Sequence, residues 1–161
     1  MLLNKNVKIR KTMLNVEFEE YFKKCPAVLP RYVGCYSINN FPQKLKTRTF
    51  FITNLSPSGE IGSHWISIIK SSPNLIEIFD SLATKYDVLK PYLKFKPETN
   101  IVFNDCAFQS PTSTSCGFFC ITFCVNRCLN FDLKYKEVLE HVFTDDLNKN
   151  ETIVKEFVLE L

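Results

Sequence analysis

The sequence predicts an α+β domain in which a mostly antiparallel central sheet packs on one buried helix. Three observations carry that prediction. The first two thirds of the chain hold short segments rich in Phe, Ile and Thr, the stretch 116–129 is apolar on nearly every face, and two amphipathic segments follow it. A length of 161 residues matches one ordinary domain, and 45% hydrophobic against 23% charged residues supplies a core without staples or metals. Residues 1–161 are therefore read as a single domain, with residues 1–12 forming a basic N-terminal arm that carries Lys5, Lys8, Arg10 and Lys11.

Each element has a local reason. Asn15 caps a short helix over residues 15–24, whose first turn places Glu17, Glu19 and Glu20 where the helix dipole favours acids. Residues 48–55, 63–70 and 75–80 are strands, bounded by Pro, Ser, Gly and Asn. Residues 82–95 read as helix interrupted at Pro91, and residues 101–103 as a short strand. After the polar loop 109–115 comes the buried helix 116–129. Helices at 133–143, capped by Asp132, and at 147–159 close the chain.

Composition narrows the function classes. The apolar run 116–125 stops at Asn126 and Arg127, short of the about 20 residues that span a bilayer, so a soluble protein with no membrane partner is expected. The start MLLNKNVKIRK puts charge where a secretory signal needs apolar residues, so secretion is not expected. Twenty Lys and Arg against 17 Asp and Glu leave +3, which neither demands nor excludes nucleic acid. Seven cysteines are an odd number and crowd between Cys106 and Cys128, which points to free thiols in a reducing compartment.

The strands at 63–70 and 75–80 are joined by a turn too short for a crossover, so they form an antiparallel hairpin. Alternation places His64, Ile66 and Ile68 on one face of the first strand and Ile76, Ile78 and Asp80 on one face of the second. Pairing Ile68 with Ile76 and Ile66 with Ile78 sets His64 opposite Asp80, within reach of a carboxylate–imidazole hydrogen bond. Taken alone, His64 is an ordinary strand histidine and Asp80 a turn former; together they make an oriented base. Glu77 is the competing acid, but alternation sends it to the other face with Leu75 and Phe79.

Cys116 sits where the Ser/Thr-rich loop enters the buried helix, among the unpaired N–H groups of a first turn that favour a thiolate. Cys120, Cys124 and Cys128 follow at helical spacing. At 1.5 Å per residue Cys116 and Cys128 are about 18 Å apart, too far to share a zinc ion, so no metal site is read and the later cysteines are core residues. Gly117 leaves the backbone open to a substrate, the Cys116 N–H can face a developing oxyanion, and Gln109 offers an amide donor across the loop.

The order His64-Trp65, then Phe79-Asp80-Ser81-Leu82, then Gln109 and Cys116-Gly117-Phe118-Phe119-Cys120 resembles the cysteine proteases of the adenovirus type (adenain-like) and the related ubiquitin-like-protein-specific proteases. Tyr32-Val33-Gly34-Cys35-Tyr36 followed by Phe41-Pro42 is similar to the N-terminal strand region of the viral branch. The resemblance covers about residues 30 to 125. It implies a papain-like architecture of that type, with Cys116 as nucleophile, His64 as general base, Asp80 as orienting acid, and Gln109 with the Cys116 backbone as oxyanion hole. It further implies substrate-binding roles for Trp65, flanking the histidine, and for Gly117.

What the resemblance implies about activity is a viral cysteine endopeptidase that cleaves precursor proteins after small or Gly-containing sites during virion maturation. The chain would act as a monomer in the virion and in the nucleus or cytoplasm of the host cell. Removal of ubiquitin-like modifiers from conjugates is the alternative activity, and an inactive protease-like binding module the alternative from another class. Two departures bear on this. Adenain carries Glu where Asp80 stands, Asp being the choice of the ubiquitin-like-protein branch, and its cysteine tether to an activating peptide has no match, since Glu98 falls near that position. No cofactor is required for the chemistry. An activating peptide, or DNA bound by the basic arm and Lys85, Lys90, Lys94 and Lys96, is the accessory partner to consider. A papain-like order would need His141 as base, on a surface-type helix without a carboxamide partner.

Overall fold

The computed structural model describes residues 15–55 and 64–161. The expected basic arm (residues 1–12), the side chain of the expected cap Asn15, and Ser63 lie outside the described residues. The fold is α+β. A five-stranded sheet is ordered β1-β2-β3-β4-β5, where β1 is Tyr32–Ser37, β2 Thr49–Asn54, β3 Trp65–Ser72, β4 Leu75–Phe79 and β5 Asn100–Phe103. Its helices are α1 (Asn15–Lys23), α2 (Tyr86–Leu89), α3 (Cys116–Leu129), α4 (Tyr135–Val142) and α5 (Leu147–Glu160).

The sheet is mixed, which corrects the mostly antiparallel expectation. The central pairs β2/β3 and β3/β4 are antiparallel, but β1 runs parallel to β2 and β5 parallel to β4. The connections explain this: residues 38–48 and 80–99 are each long enough to carry the chain back across the sheet before the next strand begins. Gly34 sits in the β1 irregularity at φ +153°, where a Cβ would meet the Tyr36 hydroxyl at 3.0 Å.

The hairpin also departs from the expected register. Ile68 faces Ile78, not Ile76, and Lys70 faces Ile76. Ser72 pairs with Leu75 across a tight turn at Pro73-Asn74, and Ser71 is the extra residue of a bulge. The slip is even, so side chains within the strands keep their expected faces, but the register does not set His64 opposite Asp80 as expected. Segment 82–95 is not a helix interrupted at Pro91: only α2 and a single 3-10 turn at Lys90–Tyr92 are helical. The residues just before α2 are instead drawn into a turn around the Asp80 carboxylate. The start of α4 is likewise displaced. Glu137 accepts the Lys134 N–H at 2.6 Å, so the helix begins beyond Lys134 and Asp132 does not cap it.

Both sheet faces are covered. On one, Phe18 and Phe22 of α1, Phe50, Ile52, Trp65, Ile69 and Phe79 of the strands, and the length of α3 form the larger core with α4 and α5. Phe79 stacks on Phe123 at 4.4 Å and on Phe143 at 5.5 Å. Each such ring contributes roughly 1.5–3 kcal/mol by leaving water. On the other face Phe51, Ile66, Ile68, Ile76 and Ile78 are covered by Ile38, Phe41 and Leu89 from the long connections.

One buried ion pair sets α3 on the sheet. Arg127 donates through Nε and Nη2 to Glu77 at 2.7 and 2.8 Å, while its Nη1 reaches the carbonyls of Asn130 and Leu133. Glu77 thus lies on the helix face with Phe79, as alternation expects. With the far end of α3 fixed on β4, its first residue, Cys116, is aimed at the end of the sheet where β4 finishes.

Candidate active site

His64 and Asp80 lie just outside the ladder, before Trp65 and after Phe79. That position matters because α3 covers the sheet face opposite to their parity. Had the ladder continued through both, they would point away from Cys116; released from it, they meet the helix at the end of the sheet. His64 Nε2 donates to Asp80 Oδ1 at 2.6 Å. The Cys116 side chain is the other group that acts on the imidazole, raising its pKa, and with Nε2 occupied the ring nitrogen left to face a sulfur is Nδ1. Cys116, His64 and Asp80 are each less than a tenth exposed.

The carboxylate is held from three sides. Oδ1 also accepts the Leu82 N–H at 2.9 Å, and Oδ2 accepts the Thr84 N–H at 3.0 Å. Ala83, between these donors, adopts the left-handed conformation at φ +50°, and its own N–H bonds to the Asp80 carbonyl. Behind the backbone, Asn104 Oδ1 takes the Asp80 N–H at 3.0 Å and Asn104 Nδ2 donates to the Asp80 carbonyl at 2.6 Å. The Tyr135 hydroxyl donates to the Ile78 carbonyl at 2.7 Å and stands 3.2 Å from Asn104 Oδ1.

Burial alone would lower the His64 pKa and raise that of Asp80, since it disfavours both charged forms. Their partnership outweighs it. The Asp80 hydrogen bond, then the Cys116 side chain, then attraction to both groups push the imidazole up to about 9. The His64 hydrogen bond and charge, with the Thr84 and Leu82 donors, hold the Asp80 carboxyl below its usual 3.8. The site therefore favours an imidazolium between a carboxylate and a sulfur.

The loop before α3 is fixed as firmly. Gln109 is fully buried, its Oε1 accepting from Ser81 Oγ at 2.5 Å and its Nε2 donating to the Ser113 carbonyl at 2.9 Å. The Phe108 and Gln109 N–H groups both donate to the Ser81 carbonyl, so this loop hangs on the residue next to Asp80. An amide nitrogen carries two hydrogens, and one remains beyond the Ser113 bond for a further acceptor. From α5, Asn150 Nδ2 donates to the Phe108 carbonyl at 3.1 Å, and Glu151 accepts from both Ser113 Oγ (2.8 Å) and Ser115 Oγ. Ser115, at the helix N-cap, makes no side-chain cap bond of its own.

Comparisons with known proteins add no family. No protein-family model matches the chain, and no curated protein matches it. Among solved structures it is similar to the central domain of the uncharacterized Lpg1148 protein from Legionella pneumophila, at 13% identity over 94% of this chain and 99% of that one, with a TM-score of 0.48. A likeness of that degree carries no functional argument.

The two residues expected to contact substrate are placed differently from the polar ones. The Trp65 ring is buried, packed edge-on against Phe18 at 5.2 Å in the same core as Cys116, and its carbonyl accepts from Cys120 Sγ at 3.4 Å. Gly117 is buried in the first turn of α3. His141 is exposed on α4. Burial raises the thiols of Cys120 and Cys124 far up and that of Cys128 to about 12, as expected of core residues. Among the described residues no group of three His, Cys, Asp or Glu side chains is arranged to hold a metal, and no helix is long and apolar enough to cross a membrane. Sequence reasoning missed Asn104, Ser81, Asn150 and Glu151. A polar residue directly after an apolar strand was the one available signal, at Asn104.

Proposed function

We propose that this chain is a cysteine endopeptidase of papain-like architecture, of the type shared by adenain-like and ubiquitin-like-protein-specific proteases. The observation that carries the reading is the imidazole of His64 bonded to a buried carboxylate and raised in pKa by that carboxylate and by the Cys116 side chain, at the first turn of the central helix. A thiolate paired with an imidazolium is the nucleophile this chemistry needs. In the proposed reaction Cys116 Sγ bonds to the peptide carbonyl carbon, and the oxyanion is held by the free N–H of Gln109 and the Cys116 backbone N–H. As the tetrahedral species collapses the C–N bond breaks, and His64 gives its proton to the departing amine. Water, deprotonated by the same imidazole, then attacks the acyl carbon, the C–S bond breaks, and the acid leaves with the thiolate–imidazolium pair restored.

The low exposure of the triad supports cleavage after residues with little or no side chain, since only a slender extended chain reaches the sulfur. Viral precursor proteins with Gly-containing sites are the proposed substrates, in a virion or an infected cell. Conjugates of ubiquitin-like modifiers end in the same kind of tail, and Asp80 suits that branch. The test incubates the purified chain with Gly-Gly precursor peptides and with ubiquitin-like conjugates, with and without DNA. Cleavage is expected to vanish in Cys116→Ala and His64→Ala while circular dichroism stays native. Cys106 is exposed and competes for alkylating agents, so iodoacetamide labelling is read in a Cys106→Ser background, where Cys116 should react first. Full activity in His64→Ala with loss in His141→Ala overturns the assignment.

A further inference from the structure

At the opposite end of the β3–β4 hairpin from the triad lies a cavity of about 470 Å³, within the size range of small-ligand sites. Lys70 stands six residues from His64 along the strand, which puts the cavity about 20 Å from the imidazole. Three stretches of chain build it: the loop before β2, the hairpin turn, and the loop before β5. Its floor is apolar, formed by Ile76, which is buried, and by the half-buried Leu45 and Phe95. Its rim carries Lys44, Lys70, Lys94 and Lys96 against a single acid, Glu98. Among the described residues none of these lysines has an acidic partner within ion-pair distance.

The walls are held in place without any ligand. Gln43 accepts the Lys94 N–H at 2.7 Å and donates to the Tyr92 carbonyl at 3.3 Å, tying the first wall to the third. The Asn100 N–H bonds to the Asn74 carbonyl at 2.8 Å, tying the third to the hairpin turn, and the Arg48 N–H bonds to the Lys70 carbonyl at 2.6 Å. Four ammonium groups against one acid around a pinned concavity gain most from a partner that brings several negative charges together. Lysine acts there as a mobile point charge suited to phosphate oxygens. The apolar floor adds a second requirement, a flat or apolar body to cover Phe95 and Leu45.

We propose that this cavity binds a compact phosphate-rich anion carried on a flat apolar body, the chemistry of a nucleoside di- or triphosphate. The lysines line one concavity, which suits a compact anion better than an extended polymer. Isothermal titration of the full chain with ATP, with inorganic tripolyphosphate and with a short DNA duplex tests this. ATP is expected to bind one to one. Lys70→Gln and Lys96→Gln should each weaken it about 10-fold, the loss of one charge-assisted contact. Phe95→Leu should weaken ATP and leave tripolyphosphate unchanged; Leu keeps the core filled, so the variant folds. Equal affinity for ATP and tripolyphosphate overturns the nucleoside assignment, and binding indifferent to the lysines overturns the site. Lysine-dependent binding of the duplex without binding of ATP reassigns the surface to nucleic acid and likewise overturns the proposal.

Discussion

β4 and its exit carry two buried acids with short ion pairs, and the pairs have opposite characters. Glu77 meets Arg127 through two parallel contacts at 2.7 and 2.8 Å and joins α3 to the sheet. Asp80 meets His64 through one contact at 2.6 Å and joins two loop residues beyond the strand ends. Burial is similar. What differs is the cation: a guanidinium does not lose its proton in proteins, whereas an imidazole trades its proton near neutral pH. Equal burial therefore yields a fixed strut in one place and, in the proposed reaction, a proton carrier in the other.

The largest effect that separates the pairs is on turnover. Asp80→Asn keeps the shape but removes the charge that supports the imidazolium, so kcat should fall on the order of 10²- to 10⁴-fold, far more than any loss of stability accounts for. Arg127→Met should do the reverse. It leaves Glu77 buried without a partner, at about 3–5 kcal/mol of unfolding free energy in urea melts, while kcat/KM of the folded fraction keeps its pH profile. Restoring balance with Glu77→Leu in the same chain should recover most of that loss. A kcat for Arg127→Met as low as for Asp80→Asn would erase the distinction between strut and proton carrier.

The pH profile sharpens the comparison next. With His64 raised to about 9, kcat/KM should decline as pH rises through about 9, and the decline should move to lower pH in Asp80→Asn. Stability follows the same groups. The His64 contribution is complete below its ordinary 6.5 and is lost as pH rises through about 9; that of Asp80 is complete above 3.8 and is lost as pH falls through its lowered value. The stability gap between the native chain and Asp80→Asn should thus be widest from about pH 4 to 6.5. A gap that widens above pH 9 contradicts the pairing.

What could be read in the residues alone was what repeats locally. The limits of α3 follow from an unbroken apolar run, and the shared face of Ile66, Ile68, Ile76 and Ile78 follows from alternation, which survived a register slip because the slip was even; His64 and Asp80 meet because both leave the ladder. The bulge at Ser71 that caused it has no signal in a Ser-Ser-Pro-Asn turn. Directions of β1 and β5 depend on where long connections travel, which no local pattern records. The failed helix at 82–95 shows the same limit: Leu82 and Thr84 turn their N–H groups to the Asp80 carboxylate, a partner worth more than the next helical carbonyl. Asn104, Ser81 and Glu151 are ordinary polar residues until the fold brings them to Asp80, Gln109 and Ser115.

The smallest expected effect lies at the far end of that support. The Tyr135 hydroxyl touches neither His64 nor Cys116; it bonds the Ile78 carbonyl and stands against Asn104, which in turn clamps the Asp80 backbone. Tyr135→Phe removes one buried hydrogen bond and leaves its acceptor behind, which costs about 1–2 kcal/mol and lowers the melting temperature by roughly 2–8 °C. Asn104 keeps both bonds to Asp80, so kcat should change by no more than about threefold and the alkaline decline should stay near 9, a few-fold change being less than 1 kcal/mol of barrier. Asn104→Ala, which removes the clamp itself, should lower kcat more than Tyr135→Phe with KM unchanged. If Tyr135→Phe moves the alkaline decline as far as Asp80→Asn does, the carboxylate is being positioned from α4 and not by its own turn.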